Sequence, residues 1–114
     1  MEKREYNKDR RLARKSPVDL STVVYGRVPP QANDMEAALL GAIQMEPSVI
    51  DRVIEYISAD SFYVEAHQII FQAMLSLHAV GQPVDTRTLV EELRKMEKLE
   101  YVGGPYYVTK LTNS

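Results

Sequence analysis

Between residues 65 and 83 the apolar side chains fall at alternating steps of four and three, Ala66, Ile70, Ala73, Leu77 and Val80, and Ile69 and Met74 widen the same stripe. Only a helix places such positions on one face, because each turn brings residues i, i+3 and i+4 together. Gly81 stands where a left-handed C-terminal residue belongs and Pro83 follows, so the predicted stop is sharp. This spacing predicts the central helix of the fold.

The remainder reads as shorter helices. Asn33 followed by Glu36 has the form of a capping box, and Met35, Leu39, Leu40 and Ile43 line one face after it. Pro47 ends that helix and suits the first position of the next, in which Val49, Ile50, Val53, Ile54 and Ile57 repeat at helical rather than alternating spacing. After the central helix, Asp85 is the expected cap of a helix burying Leu89, Leu93 and Met96, with Glu91 and Lys95 at the favourable four-residue spacing on its outer side. Gly103 and Gly104 break the chain, and Pro105 opens a last short helix on which Tyr107 and Leu111 share a face. The predicted class is all-α, a compact orthogonal bundle of five to six helices. Its expected core is Leu39, Ile43, Val53, Ile57, Phe62, Ile70, Phe71, Leu77, Leu89 and Leu93.

Composition narrows the function classes. The 114 residues are 45% apolar and 26% charged and include no cysteine, which excludes a disulfide framework, thiolate zinc and a nucleophilic thiol. No apolar run approaches the roughly 18 residues of a membrane span, and the charged N-terminus is unlike a signal peptide, so a cytoplasmic protein that does not engage membranes is expected. The formal charge of −2 is unevenly spread: residues 1–24 hold seven basic and four acidic groups, and the remainder holds seven basic and twelve acidic. Residues 1–26 are accordingly predicted to be a basic, disordered N-terminal arm, and residues 27–114 the globular unit. Such an arm could touch phosphate or an acidic surface, but no aromatic ladder accompanies it, which favours a solvated tail.

Catalytic constellations are missing. His67 and His78, eleven residues apart on one helix, would be separated by about 16 Å, too far to share a metal. No serine or second base completes a nucleophilic set around either. The Gly103–Gly104 pair has no phosphate-loop motif around it, and no calcium-type acidic loop is present. No catalytic, cofactor-binding or metal residue is assigned. The unusual stretch is DSFYVEAHQIIF at residues 60–71, whose aromatics could pack internally or form a contact surface. Tyr101, Tyr106 and Tyr107 flank the glycine turn with the same ambiguity. Tyr63, Glu65, His67 and Tyr106 are the candidate partner-contact residues.

Four stretches carry a resemblance: RVPPQANDMEAALLGAI at residues 27–43, DSFYVEAHQIIF at 60–71, GQPVDTRTLVEEL at 81–93 and VGGPYYVTKL at 102–111. In this order and spacing they resemble the N-terminal domain of the bacterial replicative DNA helicases of the DnaB family. The resemblance implies a helical subdomain followed in the whole protein by a helical hairpin and a RecA-like ATPase domain, neither of which lies in this sequence. It implies a collar on a hexameric ring that supports self-assembly and binds primase, and in some species a loader. ATP, magnesium and DNA would be handled by the other domain, so the segment itself is expected to be non-enzymatic. Two alternatives stay open from the residues: the helicase-binding domain of a primase, and a helix-turn-helix module over Val84–Met96, which Glu91 and Glu92 disfavour by repelling phosphate.

Overall fold

The computed structural model describes residues 30–113, so the basic arm assigned to residues 1–26 lies outside the described residues. Within them the chain forms five α-helices: α1 (Pro30–Met45), α2 (Val49–Val53), α3 (Glu65–Ala79), α4 (Thr86–Lys95) and α5 (Gly104–Lys110). Single 3-10 turns cover Ala59–Ser61 and Leu111–Asn113, and no strand occurs among the described residues. The unit is all-α.

Helix α3, at 15 residues one shorter than α1 and so not the longest element as expected, carries the largest share of the core, burying His67, Ile69, Ile70, Phe71, Ala73, Met74 and Leu77. Leu40 and Ile43 from α1, Ile50 from α2, Leu89 and Leu93 from α4, and Val108 from α5 close around it. Phe62, just before α3, sets its ring 5.1 Å from that of Phe71 at a 39° tilt. Each large aliphatic, methionine or phenylalanine side chain among these contributes about 1.5–3 kcal/mol on leaving water.

The helix ends follow local chemistry. Gly81, at φ 76°, closes α3. The Gly81 and Gln82 amides then donate to the carbonyls of His78 and Leu77, each at 3.0 Å, the double bond pattern that satisfies two orphan carbonyls. Asp85 caps α4: its carboxylate accepts from the Thr88 amide at 2.9 Å while Thr88 Oγ1 accepts from the Asp85 amide at 3.0 Å. The C-terminal end of α4 repeats the α3 pattern, Lys98 N–H to Leu93 C=O at 2.9 Å, with Glu97 at φ 60° in the place a glycine normally takes. Gly103 and Gly104 turn the chain into α5 at φ 119° and 80°. A Cβ on Gly103 would stand 2.7 Å from that of Tyr107.

Several expectations are corrected. Asn33 is not a cap, because α1 begins three residues earlier at Pro30, whose missing N–H and fixed φ suit a first turn. Met35 is 70% exposed, outside the face that buries Leu40 and Ile43, and Leu39 is half-buried. Pro47 lies in the turn before α2 instead of opening it. Beyond Val53 the bonds tighten, Tyr56 N–H to Val53 C=O, and Ser58 is extended. The predicted second helix therefore stops short of Ile57. Val53 and Ile57 rest half-buried against the core, and Ile54 is exposed. Val80 ends α3 as its C-cap and is 71% exposed. On α4 the ion pairs are Arg94 with Glu91 and Lys95 with Glu92, three residues apart, instead of Glu91 with Lys95. Exposed pairs of this kind contribute little.

Gly41 is where α1 meets the 3-10 turn Leu111–Asn113. A Cβ there would lie 2.0 Å from the Leu111 carbonyl oxygen, so only a bare Cα admits this approach.

Candidate functional site

Helix α3 begins with backbone amides that its own residues do not cap, since the N-cap is Val64 and has no side-chain acceptor. The acceptor comes from α1. One carboxylate, Glu36, takes the Tyr63 amide at 2.5 Å and the Val64 amide at 3.2 Å. A negative group at this position also opposes the positive end of the helix dipole. The same Oε1 lies 2.8 Å from Nδ1 of His67, a ring with no exposed surface. A carboxylate only accepts, so Nδ1 donates to it.

The other ring nitrogen, Nε2, is 2.6 Å from the Tyr107 hydroxyl on α5. The two rings lie nearly parallel, 5.9 Å apart at 9°. Burial, and then the Glu36 charge, raise the Tyr107 pKa above its ordinary value of 10.0. Both disfavour a second negative charge beside the carboxylate. Glu36, His67 and Tyr107 thus form one connected polar chain that fixes the start of α3 against α1 and α5.

Three exposed tyrosines are linked to this region by sequence or by a hydrogen bond. Tyr63 is 41% exposed and Tyr106, adjacent to Tyr107, is 77% exposed. Tyr101, 58% exposed, donates its hydroxyl to Glu65 Oε1 at 2.9 Å, and Lys98 Nζ lies 5.2 Å from its ring centre. The hydrogen bond to Glu65, then that residue's charge and a little burial raise the Tyr101 pKa as well. Exposed tyrosines offer flat apolar area with polar tips, the chemistry of a protein contact.

The four candidate contact residues therefore separate. Tyr63, Glu65 and Tyr106 reach the surface. His67 is corrected: its side chain is fully enclosed and is not part of the accessible surface. Sequence reasoning paired Glu36 with its own helix start and missed its partners 27–31 residues away. It also missed Tyr101 as the neighbour of Glu65. His78, at the far end of α3, pairs with Asp51 of α2 at 2.7 Å. Among the described residues no group of three His, Cys, Asp or Glu could hold a metal ion, and no helix is long and apolar enough to cross a membrane.

Comparison with known proteins agrees with this architecture. The family model "DnaB-like helicase N terminal domain" matches residues 28–114. The replicative DNA helicase DnaB of Treponema pallidum is 44% identical over 89 residues, covering 78% of this chain and 20% of that protein. The corresponding helicase of Rhodothermus marinus is 44% identical over 87 residues, covering 76% and 9%. The replicative DNA helicase DnaC of Bacillus subtilis is 41% identical over 95 residues, covering 83% and 21%. This chain thus spans about a fifth or less of these relatives. The crystal structure of the N-terminal domain of DnaB helicase from Mycobacterium tuberculosis superposes with a TM-score of 0.71 at 32% identity, covering 75% of this chain and 61% of that one.

Proposed function

The chain belongs to the DnaB-like helicase N-terminal domain family, and from that membership we propose that it is the interaction module of a hexameric replicative helicase, supporting the ring collar and binding primase. The membership replaces the primase-domain and helix-turn-helix alternatives. The observation that carries the reading is the exposure of Tyr63, Tyr101 and Tyr106, of which Tyr63 donates its backbone amide to Glu36 and Tyr106 directly precedes Tyr107 in the partly buried Glu36–His67–Tyr107 chain. Rigid aromatic contacts lose little entropy on binding. In this reading ATP, magnesium and DNA are handled by the remaining four-fifths of a protein like the relatives, and a loader is a second partner of the collar.

The test is titration of the full chain with a primase C-terminal domain. Tyr63→Ala and Tyr106→Ala should each weaken binding by about 1–2 kcal/mol without lowering the melting temperature. Unchanged affinity in both variants would remove these tyrosines from the interface. The chain is expected to sediment as monomer or weak dimer and to leave ATP intact. A tight hexamer, or turnover in a clean preparation, contradicts a module that works only through its surfaces.

A further inference from the structure

Helix α1 is apolar on the side it should not be. Leu40, Ile43 and Gln44 face the core. Directly opposite, Met35, Ala38, Ala42 and Met45 are all exposed. Their spacing of three, four and three gathers them within about 80° of arc along roughly 15 Å of helix. A helix at a protein surface normally turns charged residues outward, and one that is apolar all round is normally covered. The arrangement suits a second helix: the two alanines let a backbone come close, and the methionines at either end adapt to the side chains they meet.

The charges indicate the partner. Asp34 and Glu46 stand exposed at the two ends of the stripe, and no lysine or arginine occurs from Pro30 to Glu46. The stripe reads the same in both directions, so two copies could pair antiparallel. That pairing would set Asp34 of each copy beside Glu46 of the other, a like-charge contact at both ends. We propose that the outer face of α1 is a docking site for a basic amphipathic helix of another protein, its apolar stripe on Met35, Ala38, Ala42 and Met45 and its lysines or arginines on Asp34 and Glu46. This deepens the interaction-module reading by naming a second face, on a different helix from α3, and the chemistry it takes; it rests on that reading.

The experiment titrates the full chain against a synthetic helical peptide of about 18 residues, with leucines at three-four spacing flanked by lysines, and against the same peptide with glutamates as flanks. The basic peptide should bind and the acidic one should not. Ala42→Arg, which fills the seam and adds a positive charge to it, should weaken binding about tenfold or more at any salt concentration. Glu46→Lys should weaken it at low salt only. Both variants change exposed positions and should keep the parental melting curve. The proposal is overturned if the basic peptide does not bind, if both peptides bind alike, or if Ala42→Arg has no effect. Concentration-dependent dimers that Ala42→Arg abolishes would also overturn it, by making a second copy the occupant. The primase titration run in parallel separates the two failures: primase bound and peptide unbound defeats only this proposal, and primase unbound defeats the module reading itself.

Discussion

Removing the Glu36 carboxylate should be among the most damaging single changes outside the apolar core. In Glu36→Ala three donors lose one acceptor. The Tyr63 amide is exposed and water replaces most of what it loses, but the Val64 amide is partly buried and its loss costs about 1 kcal/mol. His67 is fully enclosed, so leaving Nδ1 unpaired costs about 1–2 kcal/mol. Loss of a negative charge at the start of α3 adds about 0.5 kcal/mol. Alanine's better helix propensity returns a few tenths. The sum is about 3 kcal/mol, or roughly 12–24 °C in melting temperature for a domain of this size. Glu36→Gln keeps the shape and one acceptor oxygen and should lose about half as much. The assay is urea denaturation of both variants, combined with His67→Phe in a double-mutant cycle. Glu36 and His67 should couple by more than about 0.5 kcal/mol. A loss below about 1 kcal/mol for Glu36→Ala, or additive effects in the cycle, would refute the claim that one carboxylate organises the start of α3 through the buried ring.

Gly41→Ala sets helix propensity against contact. Alanine favours the helix by about 1 kcal/mol, but its Cβ would meet backbone atoms of Leu111 at 2.0 and 2.8 Å, and overpacking of this kind costs about 1–3 kcal/mol. Net destabilisation in a thermal melt is the expected result. Glu97→Gly should have the opposite sign, raising stability by about 0.5–1 kcal/mol by relieving the φ of 60° at the end of α4. At alkaline pH the folded protein keeps the Tyr107 proton that the unfolded chain releases near 10, so stability holds below that value and declines as pH rises through it. Tyr101, raised by Glu65, acts in the same direction. Denaturation midpoints from pH 8 to about 11 should fall less steeply in Tyr107→Phe than in the parent, and parallel curves would contradict the assignment.

Elements whose signals are local could be read from the chain. The period over Ala66–Leu77, the Gly81 stop and the Asp85 cap are each decided by residues within one or two turns. The misreadings came from local signals in competition. Asn33 and Glu36 have capping spacing, but a proline three residues upstream starts the helix first. Val53, Ile54 and Ile57 keep a helical period, but the chain tightens and then extends at Ser58, so the period outlasts the helix. The candidate site was only half legible. Tyr63, Glu65 and Tyr106 were accessible to composition and position, whereas the burial of His67 depends on Glu36 and Tyr107, 31 and 40 residues away. Long-range pairing leaves no periodic trace. The exposed face of α1 was hidden for another reason: an apolar residue in a helix pattern reads as part of the buried face, and Met35 falls into line with Leu39, Leu40 and Ile43.

Gln44 has a consequence of a different sort. It is 5% exposed, donates from Nε2 to the Val108 carbonyl at 3.1 Å, and accepts on Oε1 from Thr86 Oγ1 at 2.7 Å. Small helical units with leucine-rich interiors have many near-equivalent ways to slide one helix past another, and apolar contacts discriminate weakly among them. A buried amide discriminates strongly, because any slip of α1 against α4 or α5 strands it without partners. Gln44 therefore chooses between arrangements more than it deepens any one of them. Gln44→Leu should melt within about 1 kcal/mol of the parent yet lose uniqueness, showing broadened amide resonances and new dye binding. Sharp spectra in that variant would return the choice of arrangement to shape alone.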